Sequence, residues 1–361
     1  NPKGATVTSS FNQPIGNWNV SSSTDMSLMF ADHAMFNQDL SSWEITNVTT
    51  LGSMFRNSGM TYNLSSSYQN PTTRPTPSEN NPYIAWDTSN VTNMQKIFHK
   101  DRIWNTSIGA INTTYNGDVT NWNTSNVQFL RSAFAGGGTD VTPVTCSFNQ
   151  NINTKVVTVG VGTALERTYN AWDVSKVTQF GYNANNESSY TPYRLGVFHN
   201  NTSFNQPLNN WQINTGSDVE MQGLFRNAVA FNQPISRSIV TVGSKTYEAW
   251  NTKKVTRFRN LFYKASSFNQ DIGNWDVSGS LSFKSMFYQN PAFNQDITSW
   301  DTSKCTDFSN MFYGAAFSSS LATNYQTPSD GRGNYVAWDV QSGSNFNFMF
   351  YNYNGNNSNP G

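Results

Sequence analysis

Charge is scarce in this sequence. Of 361 residues only 12% are charged, 22 basic against 22 acidic, and no basic run occurs. Binding to a phosphate backbone needs clustered cations, so nucleic acid is not an expected partner. Cysteine is scarcer still. Cys146 and Cys305 are too few for the disulfide framework of a small secreted scaffold, and Cys305, standing where other units have Val, reads as a buried small hydrophobe. The three histidines, His33, His99 and His199, lie far apart. Metal sites need clustered ligands at definite spacing, so no metal is expected and these read as surface turn residues. No apolar run approaches the roughly 20 residues that span a bilayer, so no membrane insertion is expected. The opening NPKGATVTSS lacks the charged-then-apolar pattern of a secretion signal; either a signal was removed or the chain is an internal piece of a longer polypeptide. Calcium-loop, zinc-protease, phosphate-loop and nucleophile-elbow motifs are missing. The expectation is a non-enzyme with no catalytic residues and no cofactor.

Aromatic residues, by contrast, are plentiful. They make up 14% of a chain that is only 36% apolar, whereas disordered segments are aromatic-poor. A core therefore exists, built from Phe, Trp and Met more than from Leu and Ile. Its arrangement is written in repetition. FNQDIGNWDVS at 268–278 returns as FNQDITSWDTS at 293–303, and Trp18, Trp43, Trp86, Trp122, Trp172, Trp211, Trp250, Trp275, Trp300 and Trp338 recur in phase, three of the intervals being 25 residues. The longer intervals are that unit plus inserted material.

Each unit has two halves. After the Trp, apolar residues fall at helical spacing: Val91, Met94, Ile97 and Phe98 in one unit, Val255, Phe258, Leu261 and Phe262 in another. This predicts a short helix of about two turns, with Ser89 placed to cap one of them. The second half is the FNQ(D/P)I block, starting at Phe11, Phe36, Phe148, Phe204, Phe231, Phe268 and Phe293. Turn residues bound it as a short strand, with Pro14, Pro207 and Pro234 facing away from pairing. The block's Asn is costly to bury without partners, and aligning Asn269 with Asn294 lets each satisfy backbone of the turn and of the next unit. One 25-residue coil cannot bury its own apolar face; stacked neighbours bury it for one another. About ten coils at roughly 4.8 Å each give a rod on the order of 50 Å, treated as one repeat domain over residues 1–361.

The pattern WDTSNVTNM…F…FNQDI, running from about Phe11 to Phe350, resembles the BspA-like leucine-rich-repeat surface proteins. That resemblance implies a right-handed leucine-rich-repeat-like α/β solenoid, with short parallel strands, short helices and insertions on one edge. It implies adhesion or surface recognition, and no catalytic residues.

Insertions occupy about 65–85, 105–121, 153–171, 181–197, 236–249 and 322–337. Two of them, NTKVVTVGVGTALERTYNA and SRSIVTVGSKTYEA, have β-branched runs broken at Gly, a hairpin signature. Several end in YIAW, YNAW, YEAW or YVAW. At one phase of the repeat they project from one edge and offer a binding surface; Tyr190, Tyr193 and Arg194 are the candidate partner contacts. The chain opens with the second half of a unit and closes with the first half of another. This suggests molecules joined head to tail through Phe11, Ile15, Phe348 and Phe350, or continuation by flanking sequence. Sequons at Asn47, Asn90, Asn105, Asn112, Asn123, Asn186, Asn200 and Asn201 are candidate glycosylation sites. The expected function is an extracellular or surface-displayed structural and adhesive protein whose partner is itself, a receptor or a matrix protein. Alternatives are a virion fibre or capsid-decorating protein, and a glycan-binding module using insertion aromatics.

Overall fold

Whether a segment with helical spacing becomes a helix depends on where its N–H groups go. In the segment after Trp250, alternate donors point away from their own chain. Phe258, Asn260, Phe262 and Lys264 donate to the carbonyls of Ser282, Lys284, Met286 and Tyr288 in the next unit, at 2.8–3.1 Å. The residues between them, Leu261, Tyr263 and Ala265, donate back three positions to Phe258, Asn260 and Phe262. The result is a chain of tight turns. A left-handed residue recurs every fourth position, Asn260 and Lys264 here, Leu28 and Asp32 in an early unit, Ser285 and Gln289 in a late one. It sits at the third position of a type II-like turn, and it forbids continuation of an α-helix.

These coordinates are a computed structural model that describes residues 10–70, 81–100, 104–106, 109–111, 114–137, 143–181, 196–329, 331 and 333–352. The expected leucine-rich-repeat-like α/β solenoid is not found. Among the described residues there is no helix, and the strands are short and mostly antiparallel. The fold is all-β-like and non-helical. The apolar periodicity was real, since Val255, Phe258, Leu261 and Phe262 are all fully buried, but turns rather than helices deliver it.

The strands lie chiefly in the insertions. They are β1 (Ser67–Gln69), β2 (Tyr83–Ala85), β3 (Trp104–Thr106), β4 (Gly109–Ile111), β5 (Lys155–Val159), β6 (Arg167–Ala171), β7 (Val219–Glu220), β8 (Ser238–Val242), β9 (Lys245–Ala249), β10 (Val255–Arg257), β11 (Asn324–Gln326) and β12 (Tyr335–Ala337). Antiparallel hairpins form from β1–β2, β3–β4, β5–β6, β8–β9 and β11–β12; β7 and β10 pair in parallel. The hairpins read from the β-branched runs at 153–171 and 236–249 are thus present. The FNQ blocks are not strands, because the link between neighbouring blocks is made by a side chain. Asn269 Oδ1 accepts from the Asn294 N–H at 3.0 Å and from Gln295 Nε2 at 3.0 Å. Asn232 does the same for Asn269 and Gln270, and Asn12 for Asn37 and Gln38. An amide oxygen replaces the ladder carbonyl, which explains why Pro is tolerated in the block.

Between units the core is continuous. Trp250 and Trp275 stack with ring centroids 5.8 Å apart, Trp211 and Trp250 at 6.3 Å, and Trp86 and Trp122 at 5.8 Å. The buried indole N–H groups, donors that must be matched when buried, reach carbonyls of an earlier unit: Trp275 to Ile235 at 2.8 Å, Trp250 to Leu208 at 2.8 Å, Trp122 to Leu64 at 2.6 Å. A second column stacks Phe225, Phe262, Phe287 and Phe312 at 5.5–5.8 Å. Each of these also packs at 3.8–4.2 Å against the Phe that follows it in sequence: Phe231, Phe268, Phe293 or Phe317. Parallel bridges run unit to unit from Asp25 and Thr50 through Asn93, Phe129, Gln179, Glu220, Arg257 and Ser282 to Asp307 and Asn345.

Candidate functional site

The turn segments give the molecule a direction. Within the turn segments the outward N–H groups point to the unit that follows, as Leu28 to Gly52, Ser53 to Gln95, Lys96 to Arg131, Gly223 to Arg259 and Asn310 to Asn347, while the residue that opens a segment donates back to the unit before, as Thr92 to Thr49 and Thr306 to Leu281. The two end faces are therefore chemically opposite. At the early end, the carbonyls of Asp25, Ser27 and Met29 hold the places that Thr50, Gly52 and Met54 hold one unit later, and no backbone N–H of the described residues reaches them. The neighbouring Ala31 carbonyl is taken by His33 Nδ1 at 2.8 Å. At the late end, the N–H groups of Phe346, Phe348 and Phe350 continue the row of Phe308, Asn310 and Phe312 and have no partner among the described residues. Along the turn segments, one face presents acceptors and the other donors.

Both faces are also apolar. Trp18, Leu28 and Met29 are exposed at the early end, and Phe346, Phe348 and Phe350 at the late end. Phe346 and Phe350 are the last rings of two columns, stacked on Phe308 at 5.1 Å and Phe312 at 5.6 Å with nearly parallel planes. Of the residues expected at an end-to-end contact, Phe348 and Phe350 are 60% exposed and Phe11 36%, whereas Ile15 is buried. Phe11 stacks on Phe36 at 6.0 Å as the first ring of the FNQ column. Sequence reasoning missed Leu28, Met29 and Phe346. Their phase matches buried positions of other units, and only the direction of the ladder shows that they terminate it.

The insertion edge carries a second feature. A groove of about 370 Å³ lies between the β5–β6 and β8–β9 hairpins, lined by Asn123, Thr168, Tyr169, Asn170, Asp173 and Lys245. Lys245 Nζ stands 3.7 Å from Asp173. The candidate contacts Tyr190, Tyr193 and Arg194 lie outside the described residues.

The family comparison bears on all of this. The model of the family described as "Mycoplasma protein of unknown function, DUF285" matches four times, at residues 6–76, 62–193, 163–242 and 238–360. The chain belongs to this family. The four DUF285 matches tile nearly its whole length, as a repeat requires. No curated protein and no solved structure matches it.

Two of the histidines expected at the surface are buried instead. His99 and His199 lie inside the unit interfaces, because the turn segment carries its last residues under the next unit. His99 Nδ1 meets the Ala135 carbonyl at 2.9 Å. Burial, with Arg226 and His99 beside it, holds His199 well below the usual imidazole range. Among the described residues no group of three or more His, Cys, Asp or Glu side chains is placed to hold a metal ion. Cys146 and Cys305 are separate, buried free thiols, pushed by burial up to about 11 and about 12. As for the sequons, Asn47 and Asn90 are exposed, but each donates its side-chain amide to a carbonyl, Ser21 and Thr46 respectively. Asn123 is half-buried. Asn200 and Asn201 are buried, and their Nδ2 atoms donate to the carbonyls of Gly137 and Phe148 at 2.6 and 2.9 Å. In the folded chain these two cannot carry a glycan. Asn112, Asn186 and the Asn105 side chain fall outside the described residues.

Proposed function

We propose that this DUF285 chain is a non-enzymatic structural and adhesive protein, extracellular or surface-displayed, similar in role to the BspA-like surface proteins, whose molecules join head to tail. The observation that supports this most is the ladder itself. Backbone hydrogen bonds link unit to unit along one axis from Asp25 to Asn345, so load applied along the axis is shared among several bonds at every interface. A net charge of zero on a surface of Asn, Ser and Thr suits dense display, where like-charged neighbours would repel. Antibodies raised against the chain should label intact, unpermeabilised source cells or particles. Labelling only after permeabilisation would remove the surface role.

A second reading is favoured by the hairpin groove. Amide, hydroxyl, carboxylate and ammonium groups beside the Tyr169 ring match the chemistry that holds a neutral, polyhydroxylated ligand. A glycan array probed with the chain, and with a Lys245→Ala variant, decides it: binding that the variant loses supports the groove, and an empty array rejects it.

A further inference from the structure

Resting on the glycan reading of the hairpin groove, we propose a second carbohydrate site at the foot of the β11–β12 hairpin, one that takes a neutral pyranose oligosaccharide. The site is built on the residue after the Trp. Asp87, Asp173, Asp276 and Asp301 follow Trp86, Trp172, Trp275 and Trp300, and each turns one carboxylate oxygen back on its own chain. Oδ1 accepts the N–H two residues on, from Ser89, Ser175, Ser278 and Ser303, at 3.0–3.1 Å. The fate of Oδ2 differs from unit to unit. Arg167, the first residue of β6, reaches Asp87 Oδ2 at 2.7 Å, and Lys245, at the same place in β9, stands 3.7 Å from Asp173 Oδ2. Asp276 and Asp301 have no such latch. No hydrogen bond or ion pair among the described residues reaches their Oδ2 atoms.

The space over these two carboxylates is a groove of about 280 Å³. Lys253, Ser278 and Lys304 line it beside them, and Tyr335, the first residue of β12, forms one wall. Asp276 is only 2% exposed, and a carboxylate oxygen so withdrawn from water is costly without a donor. At Asp87 the protein fills the same position with the N–H groups of Arg167; at Asp276 the donor is left to a ligand. Two carboxylates against two ammonium groups leave the groove without net charge, which removes the advantage of a cation over a neutral donor. Sugar hydroxyls meet these demands together: they donate to Asp276 and accept from Lys253, Lys304 and Ser278. The Tyr335 hydroxyl is held by the Ser299 carbonyl at 2.5 Å, so its ring is fixed in place for the apolar C–H face of a pyranose. The volume lies near the small end of ligand pockets, roughly 300 Å³, which suits a short saccharide. In the first groove Lys245 stands beside the carboxylate; here no side chain has to be displaced.

The test is a nuclear magnetic resonance titration of the full 361-residue chain, labelled on nitrogen, with maltotriose, cellotriose or tri-N-acetylchitotriose up to millimolar concentration. The amides bonded to each carboxylate are the reporters: Ser278 and Ser303 for this site, Ser175 for the first groove, and Ser89 for the latched Asp87. At least one of the sugars should shift Ser278 and Ser303 saturably and leave Ser89 still. Asp276→Asn keeps an acceptor for the Ser278 N–H but turns Oδ2 into a donor, and it should weaken that response about tenfold without touching Ser175. If that variant lost the near-ultraviolet circular dichroism of the packed Trp columns, Lys304→Ala, at an exposed side chain, would replace it with the same expectation. A response confined to Ser175 would overturn this site and leave the first groove standing. A response at Ser278 and Ser303 without Ser175 would establish this site and remove the first groove. Silence at all of these amides with every sugar would overturn both, and a variant that responds like the parent would overturn this site.

Discussion

At the residue scale the most informative side chain is the Asn of the FNQ block. Its identity was legible as structural in the sequence, because a polar residue repeated at core phase must have a repeated partner. Its exact service was not legible, since no spacing rule says that Oδ1 will stand in for a ladder carbonyl. Asn269 accepts from both Asn294 N–H and Gln295 Nε2, so Asn269→Ala leaves two donors of the next unit unmatched and should cost about 1–2 kcal/mol. Asn269→Asp keeps the acceptor and should cost less; urea midpoints of the two variants in the reverse order would refute the assignment. Burial of His99 and His199 was illegible for a related reason: a histidine at a turn end looks the same whether or not another unit covers it. His199 Nδ1 has no hydrogen-bond partner among the described residues, and burial is the main cause that holds its pKa well below 6.5. The unfolded chain therefore binds a proton near pH 6.5 that the folded chain refuses, so this part of the stability is intact above that pH and is lost as pH falls, at up to about 1.4 kcal/mol per unit. Glu220, raised by its own burial, acts in the opposite sense, which makes the comparison of His199→Gln with the parent necessary. Between pH 6.5 and 5 the variant should lose stability more slowly; parallel curves would show that His199 carries no such linkage.

At the scale of elements, the sequence announced the apolar phase of each unit but not the backbone that delivers it. Spacings of three and four fit a helix and fit a run of alternating turns equally well. What separates them is the left-handed residue at every fourth position, and Ser285, Gln289, Lys264 and Leu28 do not advertise it as Gly would. At Ser285, φ is 55°, which costs an L-residue roughly 1–2 kcal/mol. Ser285→Gly should therefore be neutral to stabilising by about 1 kcal/mol after its entropy cost, and Ser285→Val should destabilise. Thermal midpoints that rank Val above Gly would mean the turn is not as described. The hairpins were legible, and the structure shows why several share a Tyr-x-Ala-Trp ending. Tyr83, Tyr169, Tyr247 and Tyr335 each donate their hydroxyl to the carbonyl just before the preceding Trp, at Ser42, Asn121, Asn210 and Ser299, over 2.5–2.6 Å. The Trp that follows takes a positive φ and donates its N–H to the carbonyl of that preceding Trp, as Trp250 does to Trp211 at 3.0 Å. The Ala before each of these Trp residues, Ala85, Ala171, Ala249 and Ala337, is completely buried, so no larger side chain fits there. The motif is a clamp that lets a hairpin leave and rejoin the stack without shifting its phase. Tyr247→Phe should cost about 1 kcal/mol and speed amide exchange in β8 and β9 while leaving the exchange of Phe287 unchanged; uniform acceleration across the chain would argue against a local clamp.

At the scale of the molecule, repetition makes stability a matter of neighbours. Each unit is held by the unit before and the unit after, so interior units have two interfaces and end units one. Amide exchange measures this directly, because the ladder donors report opening of their own interface. Phe225, Phe262 and Phe287, whose N–H groups bond to Leu261, Met286 and Met311 at 2.9–3.0 Å, should exchange slowest. Donors near the faces, such as Leu28 to Gly52 and Phe312 to Met349, should exchange faster, and the N–H groups of Phe346, Phe348 and Phe350, which have no partner among the described residues, fastest. Raising the protein concentration adds an observation that no isolated molecule can mimic. If a second copy supplies the missing carbonyls, those three amides should slow selectively as concentration rises, while Phe225 and Phe262 stay as they were. The direction of the turn-segment ladder was not visible in the sequence, because one letter per residue does not show which way an N–H points. A flat exchange profile at low concentration would mean that the chain opens as one cooperative body. Protection at Phe346, Phe348 and Phe350 that ignores concentration would mean that the donors are satisfied within a single molecule, and the end-to-end reading would then have no physical basis.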